Sequence, residues 1–192
     1  MALLEQIEHY IPFNEQEARD RQFIAAALKR HGDIFTRENE VLHMTASAWT
    51  VTKARDKALM VYHNIYQSWS WLGGHADGEA DLLAVALREV REESGVRTLR
   101  PVTEEIFSLE VLTVDGHWKR GQYVSSHLHL NLTYLLEADE AEALTVLEAE
   151  NSAVRWFPLE EAVQASSEPW FQTHIYPKLN EKLRQFPSAA LR

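Results

Sequence analysis

The stretch GGHADGEADLLAVALREVREESGV, residues 73–96, decides how the rest of the chain is read. Two glycines lead into an acidic loop, and a helix-forming run ends in Glu92-Glu93-Ser94-Gly95. The pattern predicts a helix over 80–94 that stops at Gly95, because glycine enters the left-handed conformation without a Cβ penalty. At about 100° per residue, Leu83, Ala86, Leu87, Val90 and Ser94 form the core side of that helix. Glu89, Glu92 and Glu93 share an arc of about 100° on the other side. Like charges spaced this way repel by roughly a few tenths of a kcal/mol per pair. Such an arc is either a solvated face or a set of oxygen ligands for a hard divalent cation. The glycines before it allow a close backbone approach, and a loop feeding a helix N-terminus favours an anion.

Upstream, SWSWL (68–72) reads as a strand that runs into the glycines, with Trp69 and Trp71 on one face as core residues or as a platform for a base. MTASAWTVT (44–52) and ALMVYHNIY (58–66) are strands joined by a turn at 54–57. Asn14 and Glu17 form an N-cap and capping box for a helix over 14–31, with Gly32 as its stop. Downstream, 105–115 and 127–137 are strands. The second alternates Leu128, Leu130 and Leu132 with His127, His129 and Asn131, which predicts one buried face and one facing a cavity or water. Between them, 116–126 reads as a loop. Its Lys119 and Arg120, with Arg37, are basic contacts for a leaving group or simply solvated. A short strand at 154–159 passes through Pro158 into a helix, and a last helix covers about 170–185. This order predicts an α+β, α/β/α sandwich in one domain, 1–192, with helical extensions at 1–32 and 166–192.

Composition narrows the function. The chain has 192 residues, 45% of them hydrophobic, and a formal net charge of −10. That length supports a sizeable core, and that charge repels nucleic acid and any anionic substrate that arrives without a cation. There is no cysteine, so disulfides, thiol nucleophiles and thiolate-ligated zinc are excluded. No apolar run approaches the ~18 residues of a membrane span, and MALLEQIEHYIPF lacks a basic signal-peptide start. The expectation is a soluble cytoplasmic protein.

Gly74 followed by Arg88-Glu89-Val90-Arg91-Glu92-Glu93-Ser94-Gly95-Val96 resembles the Nudix box: glycine, spacer, then Arg-Glu-apolar-x-Glu-Glu-x-Gly-apolar. The second half matches at every specified position. The family's first box glutamate falls on Ala80, so Glu79 is expected to take its place by pairing with Arg88. The likeness covers about 44–165 and includes Glu150 and the run Arg155 to Glu161. It implies a mixed sheet between helices, a homodimer, and Mg²⁺- or Mn²⁺-dependent pyrophosphatase activity on a nucleotide-type diphosphate. It also implies Glu92 and Glu93 as metal ligands, Glu89 as a ligand or water-positioning group, Arg88 as a group that orients carboxylates, and Glu150 as a further ligand. Gly73, Gly74, His75 and Glu79 line the substrate side in this reading. His127 and His129 either look into the site from their strand or serve the structure. The alternative is a Nudix-fold module that binds without catalysing; its carboxylates are usually damaged, and here all three are intact.

Overall fold

A computed structural model describes residues 2–119 and 121–186. Two helices open the chain, α1 (Leu3–His9) and α2 (Glu15–Arg30). Asn14 caps α2 by accepting from the Glu17 N–H at 2.9 Å, as expected. The Glu17 carboxylate does not complete a capping box. It accepts from Phe13 N–H and turns inward.

The sheet strands are β1 (Leu42–Thr52), β2 (Lys57–His63), β3 (Ser68–Ser70), β4 (Leu72–His75), β5 (Leu99–Pro101), β6 (Ser108–Val114), β9 (His127–Ala138) and β10 (Asn151–Pro158). β1 pairs in parallel with β9 from Leu42↔Leu128 to Thr52↔Ala138, and the other pairings are antiparallel, so the sheet is mixed. β1 and β2 pair only at Val51↔Ala58, next to their turn. Beyond that point β3 pairs with β2 and β4 pairs with β1. The 68–75 segment therefore crosses from one strand to the other near Trp71. The single strand expected at 68–72 is two, because the chain changes partner there.

Helix α3 (Leu82–Ser94) packs its Leu82, Val85, Ala86 and Val90 against Met44, Ala46, Leu130 and Leu132. Ile7 and Ile24 of the first two helices bury in the same cluster. The opposite face carries Trp49, Val51, Met60 and Leu135. It is covered by α4 (Leu159–Ala165), a π-helical turn (Phe171–Ile175) and α5 (Tyr176–Leu183). Trp71 belongs to this core, edge-on to Phe171 and Tyr176, and Trp69 packs edge-on to Phe157. Both tryptophans are structural aromatics, not a base platform.

Three expectations need correction. The segment 116–126 is not a plain loop: β7 (His117–Lys119) and β8 (Gln122–Val124) form a small hairpin. Arg120 lies outside the described residues. The buried side of α3 is rotated from the expected face, since Glu93 is buried while Leu83 and Leu87 are half-exposed. The polar face of β9 does not open to water along its length, because Asn131 is 1% exposed.

Candidate active site

The floor of the site is β4, held against β1 with Ser47↔Gly73 and Ala46↔Gly74 in register. A Cβ at position 73 would lie 2.4 Å from the Ala46 carbonyl oxygen, and one at 74 would lie 2.5 Å from the Glu89 carboxyl carbon. Only glycine lets the strand and the helix carboxylate come this close. Asp81 caps α3 through Ala84 N–H at 3.0 Å, and Gly95 ends it with φ 74°. Residues 80 and 81 thus precede the helix, which begins two residues later than the sequence pattern predicts.

Glu93 reaches inward from the last turn of α3 and is 3% exposed. One of its oxygens accepts from the Gly73 N–H and the other from Asn151 Nδ2, both at 2.9 Å. Burial pushes its carboxyl up to about 8, the two hydrogen bonds oppose that, and the charges of Glu89 and Glu150 add to it. Glu89 is half-buried and accepts from the Arg88 guanidinium at 2.9 Å. Its carboxyl is also raised, first by burial, with Arg88 opposing and Glu92 and Glu150 reinforcing. Glu92 is exposed at the rim. Glu150 stands at the start of β10, beside Asn151. Glu89 thus feels the charges of Glu92 and Glu150, Glu93 feels those of Glu89 and Glu150, and Arg88 is the cation paired with Glu89. Carboxylate oxygens that repel each other suit a hard divalent cation, so Mg²⁺ or Mn²⁺ fits the donor chemistry.

Glu79 stands apart from this group. It is exposed and accepts from Asp81 N–H at 2.8 Å, while Arg88 pairs with Glu89. The expected Glu79–Arg88 pair is therefore not formed, because Asp81 caps the helix and holds Glu79 in the preceding turn. Arg37 is likewise engaged, in a two-pronged pair with Asp77 at 2.7 and 2.8 Å.

His75, His127 and His129 gather around a residue not singled out in the sequence, His43. Ring centroids of His43 lie 5.0–5.1 Å from those of the other three. The register explains it: His43 is level with His129 on β9, and Thr45 is level with both Asn131 and His75. The signal lay in alternate positions of an otherwise apolar strand, His43-Thr45-Ser47, which match His129-Asn131-Thr133.

Further along that face the polar residues close into a buried ion cluster. Thr45 and Ser47 donate to the Asn131 side-chain oxygen at 3.0 and 2.9 Å, and Asn131 and Thr133 donate to Glu110 at 3.0 Å. Lys178 donates to Glu110 at 2.9 Å and lies 3.2 Å from Glu17, while Lys182 donates to Glu17 at 2.7 Å. Burial alone would raise the Glu17 carboxyl, but the two ammonium groups bring it below the ordinary carboxylate range.

Known proteins agree with this architecture. No curated protein matches the chain. An Ap4A hydrolase of C. elegans, in a binary complex, superposes with TM-score 0.54 at 19% identity, over 74% of this chain and 96% of that one. A NUDIX-family hydrolase from Clostridium perfringens gives 0.52 at 20% identity, over 75% and 97%. A MutT protein from Methanosarcina mazei Go1 gives 0.55 at 12% identity, over 72% and 93%. These likenesses establish a shared fold. The NUDIX domain model matches residues 41–179, most of the chain and wider than the stretch the box suggested, and the chain belongs to the NUDIX domain family.

Proposed function

We propose that this Nudix hydrolase splits the phosphoanhydride bond of a nucleoside diphosphate linked to a second group, or of a similar organic diphosphate, with Mg²⁺ or Mn²⁺ held by Glu89, Glu92, Glu93 and Glu150. The observation that supports it is the electrostatic pressure of Glu92 and Glu150 on Glu89, and of Glu89 and Glu150 on Glu93, above a floor of paired glycines. A divalent cation held by these residues would offset the charge of the diphosphate and polarise its phosphoryl oxygens. The chain does the positioning. Gly73 N–H and Asn151 fix Glu93, and Arg88 orients Glu89. Glu92, at the exposed rim, would hold the cation on the solvent side, from which the diphosphate arrives. One carboxylate of the set accepts a proton from the attacking water as the new oxygen–phosphorus bond forms. The anhydride oxygen–phosphorus bond breaks, and the leaving phosphate carries away its electron pair.

The test is a panel of nucleotide sugars, dinucleoside polyphosphates, oxidised nucleotides and coenzyme-type diphosphates, with release of phosphate or nucleotide measured under Mg²⁺ and Mn²⁺. The C. elegans neighbour's name puts Ap4A on that panel. The expected result is metal-dependent turnover of at least one class. A folded wild-type protein that binds a panel member and turns over none would establish the non-catalytic module instead.

A further inference from the structure

We propose that His43, His75 and His129 form a second, separate metal site that takes a borderline-soft transition-metal ion of the Zn²⁺ class. One ligand nitrogen from each of the three lies within 4.8 Å of those of the other two. Bonds of about 2.0–2.1 Å in tetrahedral geometry put imidazole nitrogens about 3.4 Å apart, so small side-chain rotations bring the three onto one ion.

The proton positions point the same way. His43 Nδ1 lies 3.0 Å from the Asn39 carbonyl oxygen, which can only accept, so Nδ1 carries the proton. Its Nε2 is then a lone-pair acceptor. That atom is buried, has no hydrogen-bond partner, and belongs to a residue 4% exposed. A buried acceptor without a donor is costly, and a bound cation is what satisfies it. An Nδ1–H bonded to a backbone carbonyl with Nε2 free is how metal-ligating histidines are commonly set. His127 Nδ1 is fixed likewise by the Ser125 carbonyl at 2.8 Å, so its Nε2 accepts from His129 Nε2–H at 3.2 Å and Nδ1 is the lone-pair nitrogen of His129.

The ligand set defines the ion. Three imidazoles with no carboxylate among them suit Zn²⁺, Co²⁺ or Ni²⁺ and disfavour Mg²⁺. Three ligands also leave a fourth tetrahedral position open for water or a substrate oxygen. This site is distinct from the acid group: His75 sits one residue past Gly74 on β4, and no histidine hydrogen bond to Glu89 or Glu93 exists among the described residues. The two sites therefore separate by metal chemistry, imidazole for one and carboxylate for the other.

Full-length protein stripped with a chelator, then titrated with Co²⁺ and Zn²⁺ and followed by the Co²⁺ visible spectrum and by calorimetry, tests this without any activity readout. The expected result is one equivalent of Co²⁺ with a four- or five-coordinate visible band. One equivalent of Zn²⁺ displaces it, excess Mg²⁺ does not, and Glu93→Gln retains it. His75→Ala, at the half-exposed position, should weaken Zn²⁺ binding by more than about 100-fold. His43→Gln should do the same, with circular dichroism verifying the fold. Absence of the band in wild type overturns the proposal. So does a band that survives both histidine variants, or one lost in Glu93→Gln, which would move the ion to the carboxylates. Loss of hydrolysis on its own leaves these outcomes readable, so failure here and failure of the hydrolase reading are distinguishable.

Discussion

Two groups of glutamates sit inside this protein with opposite electrostatics. Glu17 and Glu110 are fully buried, yet each meets an ammonium group, Lys178 touching both and Lys182 touching Glu17. Glu89 and Glu93 are raised by burial and by their acidic neighbours, and among the described residues a single half-exposed arginine, Arg88, pairs with this group. The first group carries its own counter-charge and is finished when the chain folds. The second has more acids than cations among the described residues, and the proposed divalent cation would supply the difference. The same side chain is thus a structural ion in one place and a binding group in the other, and the nearby lysines decide which.

The sharpest way to break the comparison is to remove a counter-charge from the finished group. Lys178→Met leaves Glu110 and Glu17 short of a cation in the core and should cost about 3–5 kcal/mol in urea unfolding. Pairing it with Glu110→Gln should recover much of that loss. A small effect of Lys178→Met alone would show that the cluster is not balanced by its lysines.

The same operation on the unfinished group should do the reverse. Glu93→Gln replaces a buried carboxyl, which burial already pushes toward its neutral form, by an amide of the same shape, so thermal stability should hold. Asn151 has a buried side-chain oxygen without a partner, and an amide flip lets it accept from the new glutamine. Turnover, by contrast, should fall about 10²–10³-fold. Full activity in a folded Glu93→Gln protein would remove Glu93 from the chemistry.

Acid separates the groups as well. The folded Glu17 carboxyl lies below its unfolded value, so its contribution is present above about pH 4.3 and is lost as pH falls through the folded value. Unfolding free energies between pH 6 and 3 should therefore fall more steeply for wild type than for Glu17→Gln. Parallel curves would mean that the ion pairs contribute no pH-dependent stability.

Glu150→Gln and Glu148→Gln test how far the acid group extends. Glu150 acts electrostatically on Glu89 and Glu93, so its variant should lower kcat about tenfold or more and raise the Mg²⁺ requirement, while Glu148→Gln changes neither. The smallest effect is expected at the helix start. Asp81→Ala removes a cap and should cost about 1 kcal/mol, whereas Glu79→Ala, on an exposed turn without the Arg88 pair, should cost less. Equal losses would mean that the Asp81 cap adds nothing beyond the turn.

The box residues were legible because their spacing is local. Arg88, Glu89, Glu92 and Glu93 lie on consecutive helix turns, and Gly95 ends the helix as read. The burial of Glu93 was not legible, since a helical wheel shows which residues share a side but not what that side meets. Here β4 passes beneath the last turn and offers a backbone N–H. His75 and His129 were visible one at a time, and His43 looked like any residue at a strand start. The trio depends on β1, β4 and β9 lying side by side, a pairing with no local mark. The lysines of α5 were hidden for the same reason: nothing local marks Lys178 and Lys182 as buried cations, and only the fold brings Glu17 and Glu110 to them.

The parallel pairing of β1 with β9 also sets the order in which the molecule assembles. Gly73 meets Glu93 across 20 residues, a loop that closes early and cheaply in entropy. Thr45 meets Asn131 across 86, and His43 meets His129 over a similar span. Parallel contacts this far apart in sequence form slowly. The Gly73–Glu93 part of the carboxylate site should therefore take shape while the chain is still partly open, Asn151 and Glu150 joining it later, and the histidine trio only when β9 docks. Pulse-labelled hydrogen exchange during refolding would see this as protection of the α3 amides before those of β9. A transition metal added to the refolding chain would then act on the last step, fastening a sheet whose helix and glycine floor are already in place.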